Sequence, residues 1–488
     1  MHLSALTLRR DVAASLVVFL VALPLCVGVA VASGVPAEAG LITGIVGGIV
    51  TGLLPGSHLQ VSGPAAGLTV LVYEAVEAYG LAALGVIVLA AGLLQLLLGA
   101  LGCGRWFRAI SVSVVEGMLA GIGLVIIAGQ LYSMADVSAP KSGIDKIAGM
   151  PGLVADIVGS TQALSAFAIG AGVIVVMLLW QRMPAKVRVV PGALAAVLLA
   201  TAATALADLP VAKVEVRGLL QSLNLPGAGD FGQLAQFGVV GTVLAFTLIA
   251  SAESLFSAAA VDRLHDGPRT DYDKELMAQG AGNALCGALG ALPMTAVIVR
   301  SSANVQAGAK TRASRVLHGV WLLLFAALLP SVLGVIPIAA LAGVLVHAGW
   351  KLLPLGHLPA MWREHRGEAV ILVITAVAIV AVNMFEGVLI GLALSVVKTA
   401  WETSHIHLSV ANAGTGPIRV ALTGNATFLR LPKMLDTLEA LPKDRPIELD
   451  LSGLRHLDHA CSTALTTWAE RHNDQGTEPV RISAAAAI

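Results

Sequence analysis

Glu253 is the residue whose type and setting most clearly indicate chemistry in this sequence. It lies deep within a long apolar stretch among small polar residues, and Ser257 follows one helical turn later on the same helix face. A charge at membrane depth is costly, so an acidic side chain there usually faces a cavity or a partner. A carboxylate beside a hydroxyl can bind a proton or a sodium ion. The structural alternative is a buried ion pair, for which Arg300 is a candidate partner.

Arg300 is the second residue with chemical potential. Its guanidinium group carries planar donors that suit a carboxylate or an inorganic oxyanion. The sequence predicts two short helices that begin within the apolar region, one near residues 63–67 and one near residues 298–302. The free N–H groups and positive dipole at such helix starts attract anions. Together with Arg300 they predict an anion site. Arg300 could instead only neutralise Glu253, and both roles can hold at once.

Four further acidic residues lie at the edges of apolar stretches. Glu74 and Glu77 are near the end of a short helix, and Glu386 is in a tight turn. For these three we favour a solvated membrane interface. Glu116 begins a helix, where a cap or a structural salt bridge is at least as good an explanation as a transport role.

The elements that position these residues contain a pattern that occurs once in each half of the chain. Gly52-Leu-Leu-Pro55 and Gly290-Ala-Leu-Pro293 each end a hydrophobic helix. β-prone residues, 59–61 and 297–299, are predicted to follow at the same spacing. Broken helices at matching positions of two halves are the best sequence indication of a transporter's binding site at the membrane midplane. Irregular backbone survives at that depth only where protein or a water-filled cavity covers it.

Composition places these elements in a polytopic membrane protein. The 488 residues are 57% hydrophobic and 12% charged, and the mean hydropathy is +0.84. Soluble proteins carry about twice that charged fraction. The zero net charge argues against a nucleic-acid partner, and the four scattered cysteines form neither a disulfide framework nor a metal site. His58, His318 and His347 form no metal-ligand set, so we expect neither an enzyme nor a cofactor.

Fourteen apolar segments of helical length are predicted, two of them short. They cover approximately residues 12–33, 37–54, 63–79, 81–101, 111–132, 162–180, 189–207, 233–258, 275–292, 297–308, 316–330, 333–349, 369–384 and 387–402. Seven segments per half make the second repeat, about 232–402, inverted relative to the first, about 10–207.

Charge supports this topology. With the N-terminus inside, 17 Lys and Arg residues fall on the cytoplasmic face and four on the opposite face. The N-terminal residues are too polar for a cleaved signal peptide. We therefore expect a multi-pass protein of the inner (plasma) membrane with both termini in the cytoplasm.

After about Trp401 the composition becomes that of a small soluble domain. Residues 418–423, 446–451 and 479–483 predict strands, and residues 431–441 and 461–472 predict helices. We expect a transmembrane transport domain over 1–404 and a cytoplasmic α/β domain over 405–488.

Five segments resemble the SulP (sulfate permease) family of anion transporters, in matching order over nearly the whole chain. They are Ala22–Pro36, Val61–Thr69, Val115–Gly123, Ser251–Ser257 and Arg300–Arg312. The resemblance implies an all-α membrane domain of fourteen segments, arranged as a seven-plus-seven inverted repeat with core and gate subdomains and two half-helices. It also implies a homodimer and a C-terminal STAS domain, which fits residues 449–458 and the helix after them.

The resemblance further implies a substrate site between the half-helices. The residues at matching positions are Pro64, Ala65 and Ala66 on one side and Val297, Ile298 and Arg300 on the other. The family's coupling acid falls on Glu253, with Ser257 beside it.

This chain departs from the family pattern at three places. Sodium-coupled bicarbonate members carry Asp and Thr where this chain has Glu253 and Ser257, and small or hydroxyl residues where it has Val297 and Ile298. These departures weaken the sodium assignment and leave proton coupling slightly ahead. In the STAS domain, His459-Ala-Cys461 follows Asp458 where regulatory relatives carry a phosphorylatable Ser. That departure argues against phosphorylation at this position.

The sequence therefore predicts a secondary active transporter of a small inorganic oxyanion, bicarbonate or sulfate, coupled to H⁺ or Na⁺ and working by alternating access. A dicarboxylate such as fumarate is an alternative substrate. A membrane anion sensor that signals through the STAS domain, to a cytoplasmic protein partner, is an alternative function. A nucleobase transporter is disfavoured because Ala65, Ala66, Val297 and Ile298 offer no base-reading polar groups.

Overall fold

The computed structural model describes residues 5–109, 111–184, 187, 190–216, 218–412, 416–475 and 479–483. The chain divides into two compact units, residues 1–391 and 392–488. Three of the basic residues used for the predicted topology, Lys186, Arg188 and Arg217, lie outside the described residues.

The first unit is almost entirely helical. In chain order its helices are α1 (Ala5–Ala32), α2 (Ala37–Leu53), α3 (Thr69–Tyr79), α4 (Leu81–Ala100), α5 (Val112–Met134), α6 (Gly143–Ala148), α7 (Met150–Gly159), α8 (Thr161–Trp180), α9 (Gly192–Leu206), α10 (Phe237–Val261), α11 (Tyr272–Ala288), α12 (Ile298–Gln306), α13 (Ala313–Leu328), α14 (Ile338–Leu352), α15 (Leu358–Glu364) and α16 (Arg366–Ala381). Helix α17 (Met384–Thr403) crosses the boundary between the units.

A helix lies over each of the fourteen predicted apolar segments. Among the described residues, six helices (α1, α4, α5, α8, α10 and α17) are long and apolar enough to cross a membrane by themselves, and several shorter apolar helices accompany them. Helices α6, α7 and α15 were not predicted, because each has ten residues or fewer and lies within a connection. The seven-plus-seven inverted arrangement stays a prediction.

Helices α4 and α11 show why this chain is rich in glycine. A Cβ added at Gly280 would lie 2.6 Å from the backbone nitrogen of Leu96, and one added at Gly287 would meet the backbone nitrogen of Leu89. Only hydrogen fits at these positions, so the two backbones pack directly against each other.

The two Gly-x-x-Pro patterns both end a helix, as predicted, but by different means. Gly290 adopts a left-handed φ of 65°. Its N–H and that of Ala291 bond the carbonyls of Gly287 and Cys286, which is a Schellman motif at the end of α11. Gly52 instead lies within α2, and Pro55 holds the residue before it in the extended region where α2 stops.

The β-prone residues 59–61 and 297–299 follow the two breaks at the same spacing, but they do not lie in strands. The strands are β1 (Ser62–Pro64) and β2 (Met294–Ala296), an antiparallel pair in which Gly63 lies opposite Thr295. Backbone groups at 59–61 bond instead to α12 side chains: Asn304 donates to the Leu59 carbonyl and Ser301 accepts from the Val61 N–H. Residues 297–299 cap and begin α12, so the helix start overrides their β-propensity.

The second unit contains an α/β fold. Its strands are β3 (Ile406–Ala411), β4 (Ile418–Ala426), β5 (Ile447–Leu457) and β6 (Arg481–Ser483), in the order β3-β4-β5-β6, and its further helices are α18 (Leu431–Glu439) and α19 (His459–Gln475). Strand β3 pairs antiparallel to β4, and the other pairs are parallel. The predicted strands and helices are present, and β3 was missed.

Asp458 fixes the start of α19. Its carboxylate accepts hydrogen bonds from the backbone N–H groups of Cys461, at 2.8 Å, and Phe428, at 2.6 Å. Burial alone would raise the pKa of Asp458, but these donors outweigh it and lower the pKa. Burial and the neighbouring Asp458 raise the pKa of the Cys461 thiol to about 12, so this thiol stays protonated.

Candidate functional site

The buried β1–β2 pair brings the starts of the two half-helices together. A 3₁₀ turn (Ala66–Leu68) leads from β1 into α3, and α12 begins two residues after β2. The Val297 N–H adds one more bond to the pair, at 2.9 Å from the Val61 carbonyl oxygen. Neither the 3₁₀ turn nor α12 has a side-chain N-cap. The N–H groups at these starts therefore lack the side-chain acceptor that normally satisfies them.

One face of α11 holds both breaks in place. Three polar residues, each one turn after the last, form this buried stripe: Glu275, Gln279 and Asn283. Glu275 accepts the Ser57 N–H at 2.8 Å, and Gln279 donates to the Ser62 hydroxyl at 2.7 Å. Asn283 forms two hydrogen bonds with the Met294 backbone, at 2.7 and 3.1 Å. A single helix thus fixes both strands relative to each other.

Arg300 is fully buried in the first turn of α12. Its Nη2 donates to the Pro64 carbonyl oxygen at 3.2 Å, and its guanidinium lies beside the Cys26 side chain. Its Nε and Nη1 find no hydrogen-bond partner among the described residues. A Cβ at Gly63 would collide with Nη1, so the guanidinium occupies the space that a side chain there would need. Buried donors without a partner are expensive, so these two groups are available to bind a ligand.

Glu253 faces the other half-helix. A Cβ added at Gly67 would lie 2.8 Å from both carboxylate oxygens, so the Glu253 carboxyl sits directly against the backbone at the start of α3. The Thr295 side chain contacts the carboxyl group, and Oε2 is buried without a hydrogen-bond partner. No ion pair within the described part of the chain joins Glu253 to Arg300. The two side chains therefore stand as separate groups.

Glu253 and Arg300 line one enclosed cavity of about 330 Å³, which we call the central cavity. Of the residues singled out from sequence, seven line it: Pro64, Ala66, Glu253, Ser257, Val297, Ile298 and Arg300. Ala65 is buried but is not a lining residue. Apolar side chains, among them Met118 and Phe256, complete the wall.

A wider cavity of about 750 Å³, here called the vestibule, shares part of its wall with the central cavity. The shared residues include Val21 and Val299 and two basic side chains of α14, His347 and Lys351. Sequence reasoning missed these two as cavity residues. It considered His347 only as a metal ligand and counted Lys351 only among the basic residues of the cytoplasmic face. Their spacing of four residues, which places them on one helix face, was the available signal.

The other acidic residues lie elsewhere. Glu77 forms an ion pair with Lys141, and Glu386 is exposed at the start of α17. Glu116 has one buried oxygen without a hydrogen-bond partner among the described residues. The described part of the chain contains no group of three or more His, Cys, Asp or Glu residues that could hold a metal ion.

An apolar helical unit in which two short helices start at one charged cavity is typical of membrane transporters. Comparison with known proteins then gives the family. The profile of the "Sulfate permease family" matches residues 8–375, and that of the "Mlab, STAS domain" matches residues 411–486. The chain belongs to the sulfate permease family, as its sequence motifs indicated. That family consists of transporters, not enzymes.

Among its relatives, "Putative sulfate transporter YvdB" of Bacillus subtilis is 28% identical, over 84% of this chain and 77% of that protein. "Bicarbonate transporter BicA" of Synechocystis is 25% identical, over 96% of this chain and 87% of that protein.

Solved structures share the fold. The transmembrane domain of a cyanobacterial bicarbonate transporter BicA aligns with a TM-score of 0.66 at 23% identity, covering 81% of this chain and 98% of that one. Murine Slc26a9 in the inward-facing state aligns with a TM-score of 0.77 at 16% identity, covering 97% of this chain and 84% of that one.

Proposed function

We propose that this protein is a secondary active transporter of a small inorganic oxyanion, with bicarbonate and sulfate as the leading substrates. The observation that carries the proposal is Arg300, whose buried guanidinium has unpartnered donors in an enclosed cavity between two half-helix starts. The relatives named for sulfate and bicarbonate transport support the same substrate class. A dicarboxylate is the next candidate.

Three sources of positive potential bind the anion in this proposal. Arg300 supplies charge and hydrogen-bond donors, and the backbone around Ala66 and Ile298 supplies the N–H groups of two helix starts. Pro64 and Val297 shape the wall, and Ala65 is buried between Pro64 and Ala66 without lining the cavity. Backbone donors suit a planar bicarbonate and a tetrahedral sulfate alike.

Glu253 couples anion binding to a cation. It lines the same cavity as Arg300, so an ionised Glu253 repels an anion that enters. A bound proton, or a sodium ion held with the Ser257 hydroxyl, removes this repulsion. Anion and cation therefore favour each other's binding, and by linkage the effect is reciprocal.

Transport then follows by alternating access, with the half-helices and the anion moving as a core past a gate. The vestibule connects the central cavity to one side, which we assign to the cytoplasm on the basis of the charge distribution in the sequence. The transporter is expected in the plasma membrane as a homodimer, with both termini cytoplasmic. The STAS domain is the candidate contact for a cytoplasmic protein partner.

Purified protein in proteoliposomes tests the proposal. We expect counterflow of labelled sulfate or bicarbonate, and accumulation only with an inward pH or sodium gradient. A fumarate signal without a sulfate or bicarbonate signal would move the assignment to dicarboxylates. Absence of flux with every anion would refute transport. Flux that persists after removal of residues 405–488 would argue against the sensor alternative.

A further inference from the structure

Three cavities follow one another along α1. Ala13 and Val17 line the vestibule, Leu25 and Val29 line the central cavity, and Val31 lines a third cavity of about 250 Å³. We call this third one the far cavity. Because the three appear in order along one helix, the far cavity lies beyond the central cavity as seen from the vestibule.

Helix α5 shows the same order. Val115 and Leu119 line the central cavity, and further along the helix Val125, Gln130 and Ser133 line the far cavity. The partition between the two cavities is thin, since on the chain entering α3 Gly67 lines one and Thr69 lines the other. The far cavity is therefore the next compartment on a route through the unit.

The far cavity is equipped for an anion. Lys146 of α6 is only 7% exposed and lines it, with Nζ 5.5 Å from the centre of the Tyr73 ring. The Tyr132 hydroxyl fixes this stretch by donating to the Lys146 carbonyl oxygen at 2.8 Å. The residues that line the far cavity include no Asp or Glu. Glu74, the carboxylate that interacts with Lys146, is not one of the lining residues.

A second observation points to a ligand. The Thr69 side chain is 5% exposed and lines the far cavity, yet its hydroxyl oxygen has no hydrogen-bond partner within the described part of the chain. A hydroxyl and an ammonium group that face one small polar cavity can together hold an oxyanion. A volume of this size holds such an ion with a few water molecules.

We propose that the far cavity is a second anion site, where a small inorganic oxyanion is held on the side of the membrane opposite the vestibule. Lys146 supplies the charge and Thr69 a hydrogen bond. The proposal rests on the proposed function for its ligand class.

Thiol protection tests this site without requiring transport. Ser138 lines the far cavity and is exposed, so Ser138→Cys places a thiol at its mouth. The background is Cys103→Ser, because the other native cysteines are buried. A charged thiol reagent is applied to the full chain in nanodiscs with and without sulfate or bicarbonate. We expect saturating sulfate or bicarbonate to slow modification several-fold.

Variants identify which site protects the thiol. Lys146→Ala should raise the half-protecting sulfate concentration about tenfold, the size of a lost charge-assisted contact, and Lys146→Arg should restore part of it. Lys141→Ala is the matched control, since Lys141 is exposed and does not line the cavity. Protection should survive Arg300→Ala, which removes charge only from the central cavity.

Three results would overturn the second site: no protection, protection unchanged in Lys146→Ala, or protection lost in Arg300→Ala. A thiol that never reacts would show that the far cavity is closed to anions as well. Wild-type flux in proteoliposomes is measured separately. Absent flux with intact protection would defeat the proposed function but leave the second site standing.

Discussion

Replacement of Glu253 by Gln should uncouple anion binding from the driving cation. The variant keeps the shape of a protonated carboxyl but cannot ionise. A central cavity of about 330 Å³ corresponds to a sphere about 9 Å across. A singly charged anion and an ionised Glu253 that stand one such diameter apart repel by about 2 kcal/mol at an effective dielectric constant of about 20.

This repulsion corresponds to about 20-fold in affinity. In sodium-free alkaline buffer the wild type should therefore bind bicarbonate about 20-fold more weakly than Glu253→Gln, and divalent sulfate by a larger factor. In acid the two should converge, because protonation neutralises Glu253 in the wild type. Uphill accumulation should disappear in the variant, while exchange of anions down their gradient continues.

The assay is equilibrium binding of labelled anion in nanodiscs across the pH range, paired with gradient-driven uptake in proteoliposomes. Glu386→Gln is the matched control, since that carboxylate is exposed and does not line the cavity. Two findings would refute the reasoning: a Glu253→Gln affinity that still falls with rising pH, or undiminished uphill uptake by the variant.

Four further predictions follow from the same structure. Arg300→Ala should weaken anion binding by tenfold or more, because a charge-assisted hydrogen bond contributes about 1.5–3 kcal/mol; an unchanged dissociation constant would leave Arg300 a structural role only. Gly67→Ala should abolish transport without unfolding, because the new Cβ displaces the carboxyl of Glu253; flux and thermal melting, measured together, check this. Lys351→Ala should slow uptake from the vestibule several-fold at low ionic strength and little at high salt, since its charge acts by steering; initial rates against salt decide. Asp458→Ala should weaken the start of α19 by about 1 kcal/mol, because alanine cannot accept the Cys461 N–H. Because the pKa of Asp458 is lowered, the wild type should lose this contribution only as pH falls through that lowered value; hydrogen exchange of the α19 amides reports it.

Local sequence patterns were sufficient for the helices over the fourteen apolar segments and for the helix starts at the central cavity. Long apolar runs have few alternatives to helix in a membrane protein, and the Gly-x-x-Pro patterns do end α2 and α11. At the central cavity β-propensity did not identify the strands, because the β-prone residues 59–61 and 297–299 lie beside β1 and β2 and not in them. Residues 59–61 bond to side chains of α12, from more than 200 positions away, and no local pattern reveals such partners.

Two features were missed, the basic residues of α14 and strand β3, and each has its own physical reason. His347 and Lys351 reach the cavities only because α14 packs beside α1, and the sequence of α14 alone does not show that neighbour. Strand β3 was missed because only Ile406 of its residues is buried, so its period-two pattern is weak. Seven of the eight residues singled out from the sequence line the central cavity. The experiments above test their roles.

The pairing of β1 with β2 has a consequence for how the protein is made. Ser62 lies opposite Ala296, so β1 leaves the ribosome long before its partner exists. Until α11 and α12 are synthesised, the backbone groups of β1 and the carbonyl that Arg300 later contacts have no protein partner at that depth. The first half of the chain therefore cannot form the β1–β2 pair by itself. We expect a ribosome-released N-terminal half to be retained by chaperones or degraded, and expression of the second half as a separate chain to rescue it.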